Sequence, residues 1–230
     1  MWFLGIMLRK YAFPSIFGLC GVTLLLTLGL WQINRLEWKT NILDQIDQKI
    51  NSSPTQLPAN LSRGSDQYLA VSVTGQFKDS EIHVLSSIKF VGPGFRIIAP
   101  LELPNRRVIL VDRGFVPQSE KNHERYRGPI QITGNLLWPD ETDHYTPSPD
   151  IKTNIWFSRN LKEMAKFLGS EEVLVVAKVS SPNFDSLKPQ PIGLNIPNNH
   201  MIYALTWFSL ALVWLGMTIY MLWRINKQQL

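Results

Sequence analysis

Cysteine is nearly missing from this chain: its 230 residues hold one, Cys20. A lone thiol can form neither an intramolecular disulfide nor a cysteine-based metal centre. Lying in an apolar run, Cys20 reads as a small buried hydrophobe. Also missing are a glycine-rich phosphate loop, a G-x-S-x-G elbow, an H-E-x-x-H motif and any histidine pair at metal-ligand spacing. Charge is scarce at both ends. Residues 1–34 carry only Arg9 and Lys10, and residues 201–230 only Arg224 and Lys227. Of the 23 basic residues, 19 therefore lie between Arg35 and His200, with all 18 acidic ones, so a chain of net charge +5 has a middle of +1. That middle carries no basic stripe of the kind a nucleic-acid binder needs. Internal repeats and low-complexity tracts are absent as well.

The two charge-poor ends are long and apolar. Tyr11–Asn34 has no charged residue, and at about 1.5 Å per residue it reaches across the roughly 30 Å of a hydrocarbon core. A cleaved signal peptide is the competing reading. The apolar run is longer than a usual signal core, and Leu30-Trp31-Gln32-Ile33-Asn34 offers no small-x-small cleavage site, which favours an uncleaved anchor. Pro14 is expected in the first helical turn, where it costs little. Met201–Trp223 forms the second run, with Tyr203 and Trp207 near one end and Tyr220 and Trp223 near the other, as in interfacial aromatic belts. Two spans place both termini on one side. Arg9, Lys10, Arg224 and Lys227 make that side cytoplasmic, against Arg35, Lys39 and Lys49 at the far end of the first span. The expected organisation is a cytoplasmic tail (1–10), a first transmembrane helix (11–34), an extracytoplasmic β-rich domain (35–200), a second transmembrane helix (201–223) and a cytoplasmic tail (224–230). Both tails are too short for a catalytic or signalling domain.

Between the anchors, residues 36–50 read as a helical extension, with Leu36, Leu43, Ile46 and Ile50 at near-helical spacing and Asn51-Ser52-Ser53-Pro54 as the stop. Six short strands follow at Tyr68–Phe77, Ile82–Phe90, Phe95–Leu103, Arg107–Phe115, Ile130–Trp138 and Val173–Val179. They are punctuated as in a meander. Leu103-Pro104-Asn105-Arg106 reads as a hairpin turn, and Gly92-Pro93-Gly94 as another turn between strands. Asn160–Leu168 is the one clear helix, stopped by Gly169. Residues 139–154 and 181–199 read as loops. The fold class is a membrane-anchored α+β protein: two antiparallel transmembrane helices flanking a mostly β domain, a small barrel or sandwich with one or two helices.

His83, His123 and His144 are isolated and read as surface or satisfied histidines. Asp112-Arg113, at a strand end, are candidates for a membrane-tethered enzyme; the plainer reading is an ion pair or turn contact. One constellation needs both anchors. Because the two helices are antiparallel, Gln32 and Arg35 at the end of the first share a depth with His200 at the start of the second, with Trp31, Tyr203 and Trp207 around them. His200, Tyr203, Ala204 and Trp207 share one helical face. An imidazole, a guanidinium and flat aromatic rings suit an amphipathic planar ligand with acidic groups, such as haem. The alternative is structural: Asn198 or Asn199 caps the helix, and the tryptophans anchor the belt.

Several stretches together resemble the Surfeit-locus proteins, the cytochrome c oxidase assembly factors. They are Leu30-Trp31-Gln32-x-x-Arg35-x-x-Trp38-Lys39, Tyr68-x-x-Val71-x-Val73-x-Gly75-x-Phe77, Gly94-Phe95-x-Ile97-x-x-Pro100-Leu101, Val108 to Pro117 around Asp112-Arg113-Gly114, and Asn198-Asn199-His200-x-x-Tyr203-Ala204-Leu205-Thr206-Trp207-Phe208. Asp112 and Phe115 stand where Asn and Trp are common in that family, and Met201-Ile202 replaces a more usual Leu-containing pair. The resemblance implies a factor that assists haem a delivery or insertion into a haem-copper oxidase without turnover chemistry. His200 would be the ligand to haem iron, and Arg35 with Gln32 would hold propionates. Implied partners are an oxidase subunit, the haem a biosynthesis enzyme and the membrane itself. A scaffold for oxidase subunits without a cofactor is the alternative. Met1–Gly5 lacks an Arg/Ser-rich presequence, so a bacterial inner membrane is expected, with the mitochondrial inner membrane as runner-up.

Overall fold

The computed structural model describes residues 2–183, 187–193 and 197–228. Part of the expected loop 181–199 (184–186 and 194–196) lies outside them, as do Met1, Gln229 and Leu230. Internal contacts divide the chain into two compact units, Met1–Gln45 with Asn195–Leu230 and Ile46–Leu194.

Two helices dominate the first unit, α1 (Trp2–Ile50, its last turn belonging to the second unit) and α4 (His200–Lys227). Both are long and apolar enough to cross a membrane. Their outward side chains are large and apolar, with Phe13 72 % and Leu212 71 % exposed, which fits lipid-facing helices and not the buried helices of a soluble core. The chain is thus a membrane-anchored α+β protein. α1 begins well before Pro14, because Trp2–Leu8 is apolar and has no proline. Pro14 consequently lies inside the helix and not in its first turn. It is buried, and an interior proline is tolerated in spanning helices where neighbouring groups re-satisfy the backbone. Cys20 is exposed and not buried, since it falls on the outward side of α1. The helix continues to Ile50 and stops where Asn51-Ser52-Ser53-Pro54 removes helix-forming residues.

The second unit contains strands β1 (Thr55–Gln56), β2 (Ala70–Phe77), β3 (Ile82–Ile88), β4 (Gly92–Glu102), β5 (Val108–Pro117), β6 (Pro129–Leu137), β7 (Ile155–Trp156) and β8 (Leu174–Ser181), with helices α2 (Arg63–Asp66) and α3 (Leu161–Leu168). The ring β2-β6-β8-β5-β4 closes through Gln76↔Glu102 and Phe77↔Leu101, giving a five-stranded barrel. β3 extends one side beside β4, and β1 and β7 add two residues each. The order is not a meander. After β6 the chain passes through α3 and returns as β8, which lies antiparallel to β6 and parallel to β5. Gly92-Pro93-Gly94 is also not a turn. β4 starts at Gly92, and the reversal is made by Lys89-Phe90-Val91, with Val91 N–H donating to the Ile88 carbonyl at 3.0 Å.

Val71, Val73, Phe77, Ile97, Ala99, Leu101, Ile109, Val111, Ile132, Leu136, Val175 and Ala177 fill the barrel interior. A second core lies outside it, where Leu161, Met164, Ala165 and Leu168 of α3 cover Ile82, Val84, Ile98, Leu110 and Leu174. β4 and β5 are therefore buried on both faces, which is why they read as continuous apolar runs. Asn160 caps α3 by accepting from Glu163 N–H, and Gly169 ends it at φ 64°. Opposite Ile97/Ile98, β5 carries one extra residue, Arg113, as a β-bulge, and Gly114 follows at φ 120°.

Candidate functional site

The first unit is an antiparallel pair joined by small residues. On α1 the inward positions Pro14, Gly18, Gly21, Leu25, Gly29 and Gln32 recur every three or four residues. Ala204, Trp207, Ala211, Trp214 and Thr218 do so on α4. A Cβ on Gly18 would lie 2.2 Å from Thr218, on Gly21 2.2 Å from Trp214 Nε1, and on Gly29 2.5 Å from Phe208. The glycines thus admit large α4 side chains directly onto the α1 backbone, the usual device of helix pairs in lipid.

At the α1-end of this seam stands its polar contact, Gln32 Oε1 to His200 Nδ1 at 2.8 Å. An amide oxygen only accepts, so Nδ1 is the donor in this contact, and in the neutral ring that leaves the lone pair on Nε2. Nε2 has no hydrogen-bond partner among the described residues. Further along, Lys39 Nζ donates to the Pro197 carbonyl at 2.6 Å and Asn198 Nδ2 to Thr40 Oγ1 at 3.4 Å, which fixes the segment leading into α4. Asn198 Oδ1 is buried without a partner. The start of α4 is capped by backbone: the Asn199 carbonyl accepts from Ile202 and Tyr203 N–H, while its side chain makes no cap.

Of the expected cluster, Gln32 and His200 touch, and Trp207 lies half-buried on the same face of α4. Trp31 and Tyr203 are each 56 % exposed and face outward. Arg35 is exposed too, its guanidinium 4.0 Å over the ring of Trp38. Gln32 engages His200 through its carbonyl, so it orients the imidazole. An imidazole held through Nδ1–H with Nε2 unpartnered is the arrangement of an axial metal ligand with its supporting contact. Of the expected cluster, the donor set brought together is thus one imidazole nitrogen able to ligate a metal and the amide that orients it. Sequence reasoning passed over Gly18, Gly21, Gly29 and Thr40, and read Lys39 only as a flanking charge and Asn198 as a candidate helix cap, not as the contacts they make here. Only the three-and-four spacing of small residues could have signalled the glycines.

In the second unit, Asp112 and Arg113 are enclosed. Asp112 is fully buried and accepts from Arg96 Nε at 2.7 Å, Arg159 Nη1 at 3.3 Å and Gly114 N–H at 3.2 Å. Arg159 also clamps Glu141. Arg113 stacks on Phe77 at 4.2 Å and donates to the Tyr126 carbonyl. Both side chains are buried, and their geometry is that of a buried polar network pinning the bulge. Burial alone would raise the Glu81 carboxyl, but the hydrogen bond from His83 and the charge of Arg125 outweigh it and hold it below its usual range. Glu141 is lowered against burial in the same way by Arg159. His83 is buried against Glu81, and His144 packs edge-on to Tyr145. Among the described residues no group of three or more His, Cys, Asp or Glu side chains could hold a metal ion.

A model of the SURF1 family matches residues 19–212, which include both Gln32 and His200. A "SURF1-like protein" of Rickettsia conorii is 34 % identical over 204 residues, covering 83 % of this chain and 83 % of its own length. One from Rickettsia felis is 32 % identical over 221 residues, 89 % and 93 % of the two chains. Human "Surfeit locus protein 1" is 27 % identical over 212 residues, 80 % of this chain and 69 % of its own.

Proposed function

This chain belongs to the SURF1 family, and on that premise we propose that it is an assembly factor for a haem-copper oxidase that holds haem a in transit. The observation that carries the reading is the Gln32–His200 contact, which fixes one ring nitrogen and leaves the other open. Haem a, when bound, supplies the redox centre destined for the oxidase. The work of this chain is to bind, orient and shield. His200 would hold the iron through Nε2, with Gln32 orienting the ring through Nδ1. Arg35, exposed beside Trp38, carries a permanent charge suited to propionates. Trp31, Tyr203 and Trp207 offer flat apolar surface against which a macrocycle excludes water.

The proposed setting is a bacterial inner membrane, with the β-domain periplasmic and both termini cytoplasmic; the mitochondrial inner membrane is the alternative. An oxidase subunit and the enzyme that makes haem a are the proposed partners. The filled barrel favours a supporting role for the β-domain as a docking body. A scaffold without cofactor is the second reading, because that domain could hold subunits together without His200. Deleting the gene and recording reduced-minus-oxidised spectra of membranes separates them. Loss of the haem a signal from an oxidase whose subunits persist supports delivery; disappearance of the whole complex supports scaffolding.

A further inference from the structure

The β3–β4 hairpin carries a feature that neither the helix pair nor the barrel uses. β4 pairs with β5 only as far as Gly94↔Pro117, and β3 meets β7 only at His83 and Val84. The last rungs, Ser87↔Pro93 and Ile88↔Gly92, therefore have no third strand and form a two-stranded finger. At its tip Phe90 is 95 % exposed, with Val91 at 43 % next to it in the turn. A phenylalanine so exposed gains nothing for the fold. It also sits at φ 67°, a region that disfavours bulky side chains and in which glycine or asparagine is ordinary. Both departures mark a residue kept for contact with something else.

The charge pattern chooses the partner. From Val84 to Phe95 the only ionisable side chain is Lys89, and there is no acid. Lys89 Nζ lies 5.0 Å over the Phe90 ring, and a second cation, Lys121, covers Phe95 at the base of the finger. An aromatic and aliphatic tip with a lysine stem is the chemistry of an element that dips into a headgroup layer: the ring enters the acyl boundary while the ammonium reaches lipid phosphates. The same chain supplies helices able to cross a bilayer, so a lipid surface is present at high effective concentration. We propose that the Lys89-Phe90-Val91 tip inserts into the interfacial layer of an anionic bilayer.

The test uses the full chain with Cys20→Ala and a single environment-sensitive label at Val91→Cys, in nanodiscs of three parts phosphatidylcholine to one part phosphatidylglycerol. A label at Val179→Cys, on an exposed strand position, is the control. With Phe90 intact, the label at 91 should be quenched by nitroxide lipids at least about twofold more than in a Phe90→Ser background, and Lys89→Glu should weaken it. Melting of the Phe90→Ser protein at or above the wild-type temperature shows that the fold is intact. A label at 91 as open to aqueous iodide as the one at 179, or indifferent to Phe90→Ser, overturns the proposal and leaves the tip for a protein partner.

Discussion

Gln32 and His200 meet side chain to side chain, Oε1 to Nδ1 at 2.8 Å, although 168 residues separate them in the chain. The contact fixes which imidazole nitrogen is open. Gln32→Leu keeps the volume and removes the acceptor, so it should lower haem occupancy of the purified protein by about 10- to 100-fold, the usual effect of losing a supporting contact to a metal ligand. Gln32→Glu, which still accepts, should retain most of it. Haem content per protein by absorbance checks both.

The same pair of helices depends on having no side chain at Gly21. Gly21→Leu drives atoms into Trp214 and should cost about 1–3 kcal/mol of helix-pair stability by overpacking. Trp214→Ala added to Gly21→Leu should recover much of that loss, because the two changes occupy one space. Thermal unfolding in detergent of both single variants and the double variant measures the coupling.

How much of this was legible beforehand depended on whether the cause is local. The helix over 161–168 could be read because Asn160 and Gly169 cap it and its apolar face is one-sided. β4 and β5 were legible as apolar runs, being covered on both faces. The place of β8 between β6 and β5 was not, since several short strands of similar pattern leave their order to long-range packing. The same limit applied to the turn: Gly92-Pro93-Gly94 has turn composition, yet Lys89-Phe90-Val91 makes the reversal. The neighbourhood of Gln32 and His200 followed from two antiparallel spans. Its hydrogen bond, and the outward turn of Trp31, Arg35 and Tyr203, depend on helix rotation, which apolar spans with little amphipathicity do not encode.

Asp112 tests the buried network. Asp112→Ala leaves Arg96 and Arg159 facing a site without its carboxylate, and the expected loss is about 3–5 kcal/mol. Chemical unfolding measures it. At a temperature where the variant remains folded, haem binding should be unchanged, which separates this residue from the helix-pair site and argues against its being a catalytic group.

Acid should destabilise the β-domain. Glu81 and Glu141 titrate below their ordinary 4.5 in the folded chain. As pH falls the unfolded chain therefore takes up protons first. The stability these carboxylates contribute is present in full above that value and is lost as pH falls through and below it. Melting temperatures taken from neutral pH to about pH 4 and lower should fall, and less steeply in Glu81→Gln.

The most direct test is a reduced-minus-oxidised spectrum of the full-length protein purified from cells that make haem a, wild type beside His200→Ala. A haem a band in the wild type, reduced at least about tenfold in the variant while melting stays unchanged, is the expected result. Equal haem in both proteins, or none in the wild type, would contradict the assignment of His200 as the ligand.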